Sequence, residues 1–319
     1  MNVHGKDIRI ISGNSNRPVA AAIAKCLGLE LCDVNVTKFS DGEIGVSINE
    51  SIRGSDVFIV QSTCNPVNDN LMELLILIDA CKRASAARIT AVIPYMGYAR
   101  QDRKAKPRDP ISAKLVADLI TAAGADRVLC MDLHADQIQG FFNIPVDHLF
   151  GVRLLAPFFH DVFGGKEDEC VIVSPDFGSV TRARNFSRDF NASIAIIDKR
   201  RPKPNVSEVM NIIGDVRDKT VVFVDDMIDT AGTLCNAAKA VAEMGGAREI
   251  YACATHAVLS GAAIERIQNS VIKKVVFLDT IEIPDDKMID KFKILPIAPL
   301  FAEAIKRIYE EKPVSTLRI

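Results

Sequence analysis

No stretch of this sequence approaches the roughly 18 uninterrupted apolar residues that a transmembrane helix needs. Even the run at 74–78 is closed by Asp79, so a bilayer span is not expected. The opening MNVHGKDIRI lacks the basic start and apolar core of a secretory signal, and export is not expected either. The eight cysteines, at 26, 32, 64, 81, 130, 170, 235 and 253, form no CxxC pair and mostly sit inside apolar patterns. They read as reduced core residues of a cytosolic protein. A basic excess is also missing, because 39 lysines and arginines face 41 acids for a formal charge of -2. A general nucleic-acid binder would carry a clear positive surplus, so any anion site must be local. There is no GxxxxGKS/T loop, no kinase glycine loop and no HRD or DFG set. A nucleotide, if bound, is held by other means.

What the chain does have is length and apolar content. Its 319 residues and 48% hydrophobic composition allow two domains of roughly 150 residues, each with a full core. Apolar runs at 8–12, 57–61, 89–94, 128–132, 171–174, 195–198, 221–225, 250–255 and 275–279 predict strands, and helical patterns occupy 18–27, 71–84, 112–123, 179–190, 234–244 and 261–268. This βαβ alternation implies largely parallel, doubly wound sheets. It also occurs twice: strand, loop, helix 71–84 and strand 88–94 have the order of strand, loop, helix 234–244 and strand 248–255, and Ala87-Arg88 enters its strand as Ala247-Arg248 does. Two similar α/β domains are expected, 1–150 and 151–319, with the last helix and tail folding back on the first.

Chemistry concentrates between Val221 and Thr233. A β-branched run ends in Asp225-Asp226, and a short loop with Asp229, Thr230, Ala231, Gly232 and Thr233 leads into an Ala-rich helix. In a parallel α/β sheet such a loop lies at the carboxyl end of a strand, where the next helix offers unpaired N–H groups and its positive dipole end. A phosphate is the natural occupant. The carboxylates cannot grip phosphate themselves, which leaves them sugar hydroxyls or a metal ion. By itself the loop serves equally as a solvated turn with Thr230 or Thr233 capping the helix. The matching loop of the first half, from Gln61 to Pro66, has no acid pair, so the sugar phosphate is assigned to the second half.

Four more segments bear on function. Lys199-Arg200-Arg201-Pro202-Lys203-Pro204-Asn205 follows a strand with four cations in five positions and two prolines that bar a helix. It is a solvated loop or a mobile cationic flap over a polyphosphate, with Lys199 and Arg201 neutralising transferring charge. Asp132-Leu133-His134 and Ser174-Pro175-Asp176 end two strands, and His134 with Asp176 could hold a Mg²⁺ that keeps its waters, although oxygen is that ion's usual choice. Phe39-Ser40-Asp41-Gly42-Glu43 offers an aromatic face and acids, and Tyr98-Ala99-Arg100-Gln101-Asp102-Arg103 adds cations. Together they could clasp a purine nucleotide, whereas alone each is a turn or a charged helix start.

FSDGE (39–43), NDNLMELL (68–75), YARQD (98–102), DLHADQIQGFF (132–142), IIDKRRPKPN (196–205) and VDDMIDTAGT (224–233) together resemble the ribose-phosphate pyrophosphokinases of the class common in bacteria and animals. The last segment is shared with phosphoribosyltransferases, and the other five select the synthetase. The resemblance implies an α/β fold of two type I phosphoribosyltransferase-like domains, and transfer of the β,γ-diphosphoryl group of ATP to the 1-hydroxyl of ribose 5-phosphate. It implies Lys199 and Arg201 as catalytic cations and Phe39, Asp41, Gly42, Glu43, Arg100 and Gln101 as the ATP site. Arg201, Asp225, Asp229, Thr230, Ala231, Gly232 and Thr233 take ribose 5-phosphate by the same likeness, and His134 and Asp176 take Mg²⁺. It further implies a cytoplasmic homohexamer in which FSDGE reaches a neighbouring subunit, with phosphate and ADP as effectors and neither nucleic acid nor membrane as partner. The chain departs from the family's SVS-like tail at Pro313-Val314-Ser315 and from a frequent serine at Pro107, while Arg53, Lys104 and Lys106 keep the cations. A phosphoribosyltransferase would have no ATP site, and a silent regulatory subunit would have lost a catalytic cation or metal ligand.

Overall fold

The computed structural model describes residues 5–200 and 209–317. The chain divides into two compact units, the first running to Phe150 and the second beginning at Gly151. In order, the first contains β1 (Ile8–Ser12), α1 (Arg17–Cys26), β2 (Val34–Lys38), β3 (Ile44–Ile48), β4 (Asp56–Val60), α2 (Val67–Arg83), β5 (Arg88–Ile93), α3 (Ser112–Ala123), β6 (Arg127–Met131) and β7 (Val146–Leu149). Five of these strands form a parallel sheet in the order β1-β4-β5-β6-β7, with Ile10 beside Phe58 and Phe58 beside Thr90. Strand β4 reads DVFIV and is buried along its whole length, as a strand covered on both faces must be. Helix α2 buries Leu71, Leu74, Leu77, Ile78 and Cys81, a 3–4 spacing that turns one stripe to the sheet. Strands β2 and β3 form a separate antiparallel hairpin.

The second unit contains α4 (Val152–Phe163), β8 (Cys170–Ser174), α5 (Val180–Phe190), β9 (Ser193–Arg200), β10 (Val209–Ile213), β11 (Thr220–Ile228), α6 (Gly232–Glu243), β12 (Glu249–Ala257), α7 (Ala263–Gln268), β13 (Lys274–Leu278) and β14 (Phe292–Leu295). Its sheet has the order β10-β9-β8-β11-β12-β13-β14, parallel except where β10 runs against β9. Leave out β9 and β10, and β8-β11-β12-β13-β14 repeats β1-β4-β5-β6-β7 strand for strand. Phe159 of α4 is fully buried, with ring centroids 6.1 Å from Phe186 and 6.4 Å from Tyr251. Truncating such a ring to alanine costs about 3–5 kcal/mol. Helix α8 (Ala298–Tyr309) belongs to the first unit and packs against α1.

The parallel sheets with flanking helices follow the βαβ pattern of the sequence, which left out β2, β3, β7, β10, β14 and α4, and β11 differs in an instructive way. The strand does not stop at the acid pair but continues to Ile228, because β12 supplies partners as far as Ala257. Asp225 and Asp226 are therefore strand residues with fixed orientations.

Candidate active site

The loop after β11 sits at the switch point of its sheet. From β8 the chain winds outward through β9 to β10, and from β11 it winds the other way through β12 to β14. The adjacent carboxyl ends of β8 and β11 leave a crevice there. A cavity of about 170 Å³ occupies it, lined by Pro175 and Asp176 from one strand end, by Asp225 and Met227 from the other, and by Asp229 to Leu234. Helix α6 starts at Gly232, two residues earlier than its apolar pattern suggests, and its cap is Ala231 at φ 59°, whose side chain makes no capping bond. Neither Thr230 nor Thr233 occupies the cap position. A left-handed non-glycine residue costs roughly 1–2 kcal/mol, so the surroundings must hold this turn in place. No acid lies in the first turn of α6. Its first-turn N–H groups and dipole end are not taken up by a carboxylate of that turn.

Around the crevice the carboxylates are wired together. Ser179 Oγ donates to Asp225 Oδ1 at 2.7 Å and the Asp226 N–H donates to the same oxygen at 2.9 Å. The N–H of Ser179 in turn donates to Asp176 Oδ1 at 3.0 Å, so one serine bridges the ends of β8 and β11. Arg182 Nη1 lies 3.5 Å from Asp225 and 3.3 Å from Asp226. Burial, and secondarily the neighbouring charge of Asp226, push the Asp225 carboxyl up to about 7, with Arg182 and Ser179 pulling the other way. Arg182 and Ser179 escaped the sequence reading. A cation in the first turn of α5, where no acid is present, opposes the helix dipole, and that misfit is the signal that could have found it.

The same electrostatics bears on a metal ion. Among the described residues no group of three His, Cys, Asp or Glu forms a ready-made cage. A crowded carboxylate pair with Asp176 linked to it through Ser179 suits Mg²⁺, which takes one or two carboxylates and fills its remaining positions with water and substrate phosphate oxygens.

In the first unit the FSDGE residues form the tip of the β2–β3 hairpin. The Phe39 N–H donates to the Glu43 carbonyl at 2.8 Å, the Glu43 N–H donates to Asp41 Oδ1 at 3.1 Å, and Gly42 takes φ 95°. The Phe39 ring lies over Gly45, where an added Cβ would meet it at 3.1 Å, yet 61% of the residue is exposed. Arg100 and Gln101 are exposed after β5, with Tyr98 in the left-handed region, and Gln101 Oε1 accepts from the Ser112 hydroxyl at the start of α3. His134 is exposed beyond β6. The loop bearing it is fixed by buried His148, whose Nε2 accepts the Leu133 N–H at 2.9 Å. Lys199 has its backbone in β9 opposite Met210, whereas Arg201 lies outside the described residues. His134, the FSDGE tip and the 98–102 segment fall in the first unit, and Asp176, Lys199, Asp225 and the 229–233 loop in the second.

Residues 8–124 match the family model described as the N-terminal domain of ribose phosphate pyrophosphokinase, and residues 200–318 match the phosphoribosyl synthetase-associated domain. The ribose-phosphate pyrophosphokinase of Caldanaerobacter subterraneus subsp. tengcongensis is 66% identical over 310 residues, 97% of each chain. That of Clostridium perfringens is 63% identical over 317 residues, 99% of each chain. The crystal structure of phosphoribosylpyrophosphate synthetase from Mycobacterium smegmatis matches with a TM-score of 0.91 at 41% identity, covering 96% of this chain and all of that one.

Proposed function

This chain belongs to the ribose-phosphate pyrophosphokinase family, and on that premise we propose how its residues divide the work. The enzyme transfers the β,γ-diphosphoryl group of ATP to the 1-hydroxyl of ribose 5-phosphate, giving 5-phospho-α-D-ribose 1-diphosphate and AMP. The hydroxyl oxygen attacks the β-phosphorus, the bond to the α-phosphate oxygen breaks, and the hydroxyl proton leaves.

The observation that carries the residue assignment is the left-handed cap at Ala231 opening an acid-free helix start beside the Asp225–Asp226 pair. Asp229 to Thr233 hold the 5-phosphate with backbone N–H groups and the threonine hydroxyls. The Asp225 carboxylate accepts from ribose hydroxyls. Lys199 and Arg201 meet charge developing on the diphosphoryl group, which is where fixed cations accelerate this class of transfer. Phe39, Asp41, Gly42, Glu43, Arg100 and Gln101 form the nucleotide site, Phe39 offering its exposed ring to adenine. His134 and Asp176 hold Mg²⁺, which neutralises phosphate charge when bound. In-line placement of the hydroxyl supplies much of the remaining acceleration.

Beyond the single chain, the reading is of a homohexamer with phosphate as activator and ADP as inhibitor. All eight cysteines are free and no described helix is long and apolar enough to cross a membrane, which supports the cytoplasm as its compartment. Two measurements test the assignment. AMP should form from ATP only when ribose 5-phosphate is added, and Thr230→Ala should weaken ribose 5-phosphate about tenfold or more while leaving ATP nearly unaffected. Equal losses for both ligands by titration calorimetry would contradict the phosphate loop.

A further inference from the structure

The carbonyl of Thr230 does not face the crevice. It accepts from Nη1 of Arg266 on α7 at 2.7 Å. The C=O and N–H of a trans peptide point in opposite directions, so the N–H of Ala231 is directed away from α7. Thr230 and Ala231 line the cavity and no residue of α7 does. Ala231 holds φ 59°, ψ 2°. A flip of the 230–231 peptide would take φ of Ala231 out of the left-handed region to negative values and would turn an oxygen toward the phosphate in place of the hydrogen. The left-handed backbone at Ala231 therefore needs a partner that holds the peptide as it stands. The remaining loop carbonyls are tied as well, that of Asp229 accepting from the Ser260 N–H at 3.0 Å and that of Ala231 from the Cys235 N–H at 2.9 Å. Of these three bonds only the one to Thr230 comes from a side chain.

We propose that Arg266 is a positioning residue of the phosphate loop: it holds the 230–231 peptide in the orientation that presents the Ala231 N–H to the 5-phosphate. The proposal rests on the assignment of residues 229–233 to that phosphate. Arg266 is not among the residues that line the cavity, so its removal is expected to act through the loop, on the sugar phosphate and not on ATP.

Four variants test this by steady-state kinetics: Arg266→Ala, Arg266→Lys, Thr233→Ala, and Ala231→Gly combined with Arg266→Ala. Arg266→Ala should raise the ribose 5-phosphate KM about tenfold, which is about 1.4 kcal/mol, with the ATP KM and the melting temperature near wild type. Lysine, which can still reach a carbonyl, should recover part of the loss. Glycine at 231 takes the left-handed conformation freely, so the double variant should bind ribose 5-phosphate more tightly than Arg266→Ala. An unchanged ribose 5-phosphate KM in Arg266→Ala, or equal rises for both substrates with no recovery in the double variant, would overturn the role of Arg266. If Thr233→Ala also leaves that KM unchanged, the phosphate assignment itself fails; if Thr233→Ala raises it and Arg266→Ala does not, only the present proposal does.

Discussion

Lys199 stands where the second sheet gives out: its backbone is still paired with Met210, and one residue later β9 ends. A cation rooted on a strand end beside a polyphosphate acts by meeting charge that exists only in the transition state. Lys199→Ala should therefore lower kcat by about 10³–10⁵, the loss typical of such cations in phosphoryl transfer, and circular dichroism should show the fold intact. Wild-type turnover in the variant would exclude the assigned role. Asp225 illustrates the other limit at this scale. Its place after a β-branched run is visible in the sequence, but its raised pKa depends on how deeply β11 sits and on the distance to Arg182 of α5. Neither is written in local spacing.

Among the elements, the junction of α4 with the end of α5 makes a pH-dependent contribution. His160 Nδ1 lies 2.9 Å from Glu167 and Nε2 lies 3.2 Å from the Asp189 carbonyl. The bond to Glu167 is the main cause holding His160 above its usual value, and the bond to His160 lowers Glu167 in turn. A raised histidine contributes stability that is complete below its unfolded value of about 6.5 and fades as pH rises through the folded value, while the lowered glutamate loses its share as pH falls below about 4.5. The melting-temperature difference between wild type and His160→Gln should thus be largest near pH 5–6 and shrink above neutrality; a constant difference across that range would refute the coupling. This junction also shows what local patterns conceal. Helix α4 carries Pro157 in its interior, which interrupts a helical reading, and burial against Phe186 and Tyr251 overrides the proline. The β2–β3 hairpin escaped notice for a different reason: apart from Val34 its strands are half-buried or exposed and lack the apolar run that marked β4 and β11. The long parallel strands and α3 were legible because both their faces, or one stripe, are apolar throughout.

For the whole molecule, we place the effector site of this reading at Arg53, Lys104, Lys106 and Ser315, where the resemblance to the family implies departures at Pro107 and Pro313. Arg53, Lys104, Lys106 and Ser315 are all exposed and all belong to the first unit. Pro313 and Pro107 stand where the family commonly has serines, and each missing donor removes about 0.5–1.5 kcal/mol of net binding. Activation by phosphate should persist and inhibition by ADP should be weaker than is usual for the family, as velocity curves against ATP at independently varied ADP and phosphate would reveal. Potent inhibition at saturating ATP that Ser315→Ala leaves untouched would place the effector elsewhere. The repeated strand order carries one more consequence. Between its first strand and the neighbour that carries the loop, each unit sends out an antiparallel pair, β2–β3 in one and β9–β10 in the other. The second pair is welded into its sheet along β8. The first pair forms a sheet of its own and lies over α2. The same excursion, fastened in two ways, leaves one hairpin governed by its sheet and the other by a single helix.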